Sequence, residues 1–230
     1  DVDPTGDVMK LPSAVEMIDQ LDMTDEQHSL YKSLREEAKE SANPENVKSG
    51  SARPMFAVLR DMDRVTTDTD MYRNVVTYLF RTSDQSKLAA LIADLPDKIS
   101  QSFIEDEETG ELKKLNKGGK RDGDNVVTVD VEKEINFTIN GDTLTYIAPQ
   151  VYAEHVDSRL TKFKIDYVSH PLRPKYAKML ENMRAELDSQ GKQLVFTEEK
   201  SQHAKLFRLI VNHLPVTANQ VDIINADTAA

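Results

Sequence analysis

Gln193-Leu194-Val195-Phe196-Thr197, then Ser201 through Leu214, then Val221-Asp222-Ile223-Ile224-Asn225, is the stretch on which the fold reading turns. Leu194, Val195 and Phe196 are consecutive apolar residues, the pattern of a strand covered on both faces. Ile223 and Ile224 repeat it. Between them Leu206, Leu209, Ile210 and Leu214 recur at helical spacing behind Ser201, a residue suited to a helix cap. Strand, helix, strand over this length predicts one right-handed crossover unit, with 193–197 and 221–225 as parallel neighbours and the helix lying across one face. One such unit cannot cover a sheet, so further strands are expected from elsewhere.

Working back toward the N-terminus, helical stripes dominate. Thr24-Asp25-Glu26-Gln27 has the form of a capping box, with Leu30, Tyr31, Leu34 and Ala38 behind it, and predicts a helix over 25–41. Pro44 to Gly50 reads as a loop. Pro54 suits a first helical turn, followed by Met55, Phe56, Leu59, Met62 and Val65. Met71, Val75, Tyr78 and Leu79 predict a further helix capped by Asp70. Leu88, Leu91, Ile92 and Leu95 predict another, capped by Asp84. Val151, Tyr152, Val156, Leu160 and Phe163 mark one more, and Tyr176, Met179, Leu180, Met183 and Leu187 the last before Gly191.

The middle of the chain departs from this pattern. Glu105 to Glu108 is acidic, and Lys113 to Arg121 is basic and Gly-rich, which together read as a solvated loop. Gly118-Gly119-Lys120 lacks the Ser/Thr ending and the preceding strand of a phosphate loop. Asn140-Gly141 is a favoured hairpin turn. With those two residues as the loop, Phe137 faces Leu144 and Thr138 faces Thr143, joining strands at 134–139 and 142–147. Val126–Val129 is read as a third strand.

Composition limits the function. The 230 residues hold no Cys, which excludes disulfides, thiolate metal sites and Cys nucleophiles. No run is long and apolar enough for a membrane helix, no basic and apolar leader opens the sequence, and a cytoplasmic, membrane-free protein is expected. Residues 1–150 carry 18 Lys+Arg against 30 Asp+Glu, a net of −12, while 151–230 carry 11 against 10, a net of +1. The acidic front is a poor nucleic-acid surface, so contacts must be local and toward the rear. None of the five His has a partner at metal-ligand spacing, and Glu105–Glu108 lacks the alternation of a calcium loop. No metal site and no catalytic residue is predicted in this chain.

Gly191-Lys192-Gln193-Leu194-Val195-Phe196-Thr197-Glu198-Glu199-Lys200-Ser201-Gln202 resembles helicase motif IV, the first strand and loop of a second RecA-like lobe. Val221 to Thr228 is similar to the next strand and its loop. Met23-Thr24-Asp25-Glu26-Gln27 with Leu30-Tyr31, and His170 to Tyr176, resemble segments that flank the lobes in Swi/Snf-like superfamily-two proteins. The resemblance extends to the large helicase–methyltransferase proteins of phages and plasmids, some linked to antirestriction. It covers 168–230 most closely and 8–80 more loosely, and does not reach 97–148.

The fold class implied is mixed α/β: a helical inter-lobe segment over 1–96, a loop and antiparallel hairpin insertion over 97–148, a helical connector over 149–190, and the opening βαβ of a RecA-like lobe over 191–230. The resemblance implies that Thr197, Lys200, Ser201 and Gln202 after the first strand, and Asn225, Asp227 and Thr228 after the second, contact a nucleic-acid backbone, DNA by preference. Hydroxyls, amides and a Lys suit phosphate oxygens. Helix capping by Ser201 and loop solvation is the competing reading. The phosphate loop, acidic box and late arginine motifs of the family are absent. ATP and Mg²⁺ therefore belong to a parent protein with the missing first lobe, and this chain alone binds neither. The alternative is a stand-alone interaction module or phage accessory protein.

Overall fold

The computed structural model describes residues 18–105, 112–114, 125–165, 167–187, 192–197 and 199–224. The fold is mixed α/β, with helices around two small antiparallel sheets.

The front is helical: α1 (Asp25–Ser41), α2 (Pro44–Ser49), α3 (Met55–Thr67) and α4 (Thr69–Arg73). The capping box at Thr24 forms as expected, with the Thr24 side chain on the Gln27 amide and the Gln27 side chain on the Thr24 amide. The expected loop over 44–50 is instead the single-turn helix α2, started by the Asn43 cap and Pro44 and stopped by Gly50 in the left-handed region. Leu34, Val58 and Val65 close a small core between α1 and α3.

The helix expected around 71–79 is a correction. Asp68, not Asp70, caps α4, and α4 ends at Arg73 with Asn74 at φ 54°; Val75–Arg81 is strand β1. The run Val75 to Phe80 is dominated by β-branched and aromatic residues, and it is buried on both faces, so pleated packing overrides the helical spacing. Val76, Tyr78 and Phe80 turn one face of β1 to the main core, which α5 (Gln85–Ala93) and α6 (Ala153–Leu160) cover with Leu88, Leu91, Ile92, Val156 and Leu160.

Strands β2 (Lys98–Glu105), β3 (Leu112–Lys114) and β4 (Asn125–Glu132) form one sheet in the order β3-β2-β4. The strand expected at 126–129 is thus real but pairs with β2 rather than with the hairpin. Residues 106–111 and 115–124 lie outside the described part, while Lys113 and Lys114 sit in β3 opposite Ile104 and Phe103. The Tyr152 hydroxyl, within 3.2 Å of the Pro96 and Asp97 carbonyls and 3.1 Å of Val131's, ties the base of this sheet to the main core.

Strands β5 (Phe137–Asn140) and β6 (Thr143–Pro149) make the expected hairpin, but its register is corrected by two residues. Asn140 pairs with Thr143, and Phe137 with Tyr146. The loop is therefore Gly141-Asp142. Gly141 has φ 58°, whereas Asn140 and Asp142 do not enter the left-handed region. This sign pattern, Gly first, is that of a II′ turn; a loop at Asn140-Gly141 would have needed positive φ at Asn140 as well. A two-residue slip keeps each side chain on its face, so the apolar and polar sides come out as expected. Strand β6 also pairs with β1 over its whole length, which places the hairpin in the main sheet, order β1-β6-β5.

The rear holds α7 (Pro174–Leu187) and α8 (His203–His213). Here the crossover unit is corrected. Among the described residues neither 192–197 nor 221–224 is a strand, and no parallel pair forms. Leu194, Phe196 and Ile224 are 78%, 90% and 80% exposed. A doubly buried strand needs neighbours on both sides, and among the described residues no strand pairs with these segments. The stripe Leu206, Leu209, Ile210 and Leu214 packs on Tyr176 and Leu180 of α7 instead of on a sheet. Two amphipathic helices can satisfy each other's apolar faces without one.

Candidate nucleic-acid interface

The segment leading into α8 carries four of the expected contact residues, and the structure treats them unequally. Thr197 is half-buried; Lys200 and Ser201 are exposed on a single 3₁₀ turn, Lys200–Gln202. Gln202 is buried, and its Oε1 accepts a 2.6 Å hydrogen bond from the Tyr176 hydroxyl. Its burial and the Tyr176 bond make it part of the packing between α7 and α8. Ser201 makes no helix cap; its hydroxyl reaches the Glu199 carboxylate at 3.4 Å. Glu199 in turn pairs with Arg64 of α3 at 2.6 Å. Asn225, Asp227 and Thr228 lie outside the described residues. Of the seven residues, the structure thus brings Thr197, Lys200 and Ser201 to one accessible stretch.

The strongest electrostatic feature is one that sequence reasoning missed. Asp68 and Asp70, around the start of α4, are buried together with Lys205 of α8. Lys205 Nζ donates to Asp68 Oδ2 and, at 3.0 Å, to Asp70 Oδ2. Arg173, just before α7, donates to Thr69 Oγ1 at 2.7 Å, Glu26 at 3.1 Å and Asp68 Oδ1 at 3.4 Å. Asp70 also accepts from the Thr77 amide at 3.0 Å and the Thr77 hydroxyl at 2.9 Å. Burial pushes the Asp70 carboxyl up, but the Lys205 charge and the hydrogen bonds of Lys205 and Thr77 outweigh it and hold the pKa below the usual carboxylate range.

His170 borders this cluster. Its Nδ1 donates to the Thr77 carbonyl at 2.9 Å, and its buried Nε2 has no hydrogen-bond partner among the described residues. Burial pushes its pKa down to about 3, assisted by the Lys205 and Arg208 charges and opposed by the Thr77 bond. Such an imidazole stays neutral and is a packing group. The residues of this cluster are satisfied by one another, and among the described residues no group of three or more His, Asp or Glu is arranged to hold a metal. No helix among them is long and apolar enough to cross a membrane. The only trace of the cluster in the sequence is Asp68-Thr69-Asp70, two acids two apart, which by itself names no partner.

Comparison with known proteins adds one relative. The chain is 32% identical to "Defense against restriction protein B" of Escherichia phage P1. The match runs over 237 residues and takes in 97% of this chain. The chain spans about a tenth of that relative's length. No family model and no solved structure matches.

Proposed function

We propose that the chain is one structural module of a large phage protein that defends against restriction. The observation that carries this reading is end-to-end similarity, 97% of the chain at 32% identity, to a phage P1 protein of that name about ten times as long. A module of a long chain is also expected to leave apolar residues exposed, as Leu194, Phe196 and Ile224 are here.

Within that protein we assign the module to an ATP-dependent helicase or translocase acting on DNA in the cytoplasm. Residues 1–96 would join the lobes, 97–148 would be an insertion, 149–190 a connector, and 191–230 the opening of the second motor lobe, whose sheet is completed by strands from outside this chain. Thr197, Lys200 and Ser201, with Asn225, Asp227 and Thr228 after them, would contact the DNA backbone. ATP and Mg²⁺ would be held by the first lobe, because phosphoryl transfer needs a phosphate loop and a metal-binding acid that this sequence lacks. The test is ATP hydrolysis by the intact parent with and without DNA, beside the 230-residue chain. Stimulated turnover by the parent and none by the chain is the expected result. A parent with no nucleotide hydrolysis overturns the motor assignment and leaves the antirestriction reading standing.

A second reading has its own support. The described residues close three separate cores without any parallel sheet, as an interaction module with no motor role would. Inactivity of the parent with intact antirestriction function would select it.

A further inference from the structure

Helix α8 has two working faces. Leu206, Leu209, Ile210 and Leu214 close an apolar core with Tyr176, Leu180 and the half-buried Met179 and Met183 of α7, against which Val216 and Val221 after α8 also pack. The other face is polar yet turned to the rest of the chain. Lys205 reaches Asp68 and Asp70, Arg208 reaches Asp157 of α6 at 2.8 Å, and Asn212 Nδ2 reaches the Val168 carbonyl. Arg173 before α7 and Glu199 before α8 add pairs to Glu26, Asp68 and Arg64. The core of the pair is thus distinct from the main core and from the α1–α3 core, and charged and polar contacts dominate the seam between them.

An apolar seam resists opening because its whole area must be hydrated. Opening a polar seam exchanges protein partners for water, at a far smaller net cost per bond. A buried ion pair also adds little net stability, because the cost of desolvating its charges offsets their attraction. We propose that the α7–α8 pair is a separable body, latched to the front of the chain by the Lys205–Asp68–Asp70–Arg173 cluster, and that it detaches as a unit while both bodies stay folded. Detachment breaks the Arg64–Glu199 pair and carries the exposed Lys200–Ser201 turn away from α3; Gln202 travels with Tyr176. This inference does not depend on the motor assignment.

Native-state hydrogen exchange on the full 230-residue chain tests it. In wild type, the amides of α7 and α8 are expected to share one opening event, with protection at least tenfold below that of β1 and β6. Lys205→Met, which removes the charge but keeps the stem, is expected to lower α7–α8 protection a further tenfold or more and leave β1 and β6 unchanged. Lys205→Met with Asp68→Asn restores the charge balance and keeps an α4 cap, and is expected to recover much of that loss. Equal protection in α7–α8 and β1–β6, lost together in mild denaturant, overturns the proposal, and this wild-type comparison decides even if a variant fails to fold. Loss of protection in both bodies alike on Lys205→Met overturns it too.

Discussion

The imidazole Nδ1 of His170 donates to the backbone carbonyl of Thr77 at 2.9 Å, fixing a neutral ring between β1 and the segment that leads to α7. Backbone bonds of 2.9 and 3.1 Å between Leu79 and Ser169 run beside it, so residues 168–170 line the free edge of β1. The ring also lies 5.2 Å from that of Tyr78. A sheet edge that would otherwise be open is thereby covered.

This neutral ring sets a pH dependence. The folded pKa lies at about 3, below the ordinary 6.5. Between those values the unfolded chain binds a proton that the folded chain refuses, so stability is fully present above about 6.5 and falls as pH drops. From pH 7 to pH 5 the loss from this one group is roughly 2 kcal/mol. Urea titrations at several pH values measure it, and His170→Gln should flatten the slope. An imidazole that titrates near pH 6 by NMR would contradict the burial argument.

Gly141 is the second test. Its φ is 58°, and a Cβ built there meets nothing within 4 Å, so the cost of substitution is backbone strain alone. Gly141→Val should cost about 1–2 kcal/mol, and Gly141→Asn less, since Asn tolerates the left-handed region. Thermal melts of the two variants separate them. Equal losses would mean that space, not φ, is limiting.

Gln27 serves two helices at once. Its Oε1 accepts from the Thr24 amide at 3.1 Å, and its Nε2 donates to the Val65 and Thr66 carbonyls at 2.9 and 3.1 Å, at the end of α3. Gln27→Leu keeps the volume but strands those groups, and a loss of about 2–3 kcal/mol in chemical denaturation is expected. The same loss from Glu36→Leu, on the exposed face of α1, would show a helix-propensity effect instead.

In the intact parent, Lys200→Ala should weaken nucleic-acid binding and reduce the slope of log K against log salt by about 0.9, the share of one phosphate contact. Because Lys200 is exposed, folding should be unaffected. Gln202→Ala, by contrast, should destabilise α7–α8 through Tyr176. Binding and salt slope identical to wild type for Lys200→Ala would remove this turn from the interface.

Local chemistry explains which elements were legible. The Thr24 box and the stripes of α7 and α8 are set by neighbours within a turn or two, and they form where the pattern places them. Strand β1 was not legible because Met71, Val75, Tyr78 and Leu79 satisfy a helical spacing, while the cross-strand partners of Val75, Tyr78 and Leu79, namely Pro149, Tyr146 and Thr145, lie far along the chain. Leu194 to Phe196 misleads for the opposite reason: its local pattern is strand-like, but among the described residues no sheet receives it. At the candidate interface, Lys200 and Ser201 are as exposed as their types suggest, whereas Gln202 is buried by a Tyr176 bond that no local pattern announces. The Lys205–Asp68 pair spans 137 positions, beyond the reach of any spacing argument.

The pairing of β1 with β6 has a consequence for synthesis on the ribosome. Val75–Arg81 emerges well before Thr143–Pro149, its hydrogen-bonding neighbour, and before Ser169, which covers its other edge. At about 5–20 residues per second the nascent chain carries Val76, Tyr78 and Phe80 without a sheet for several seconds. During that interval α1 and α3, whose contacts are nearer in sequence, are able to assemble first. A ribosome-bound chain arrested before residue 143 should therefore hold a protease-resistant front helical unit and a β1 segment that a holdase chaperone still captures.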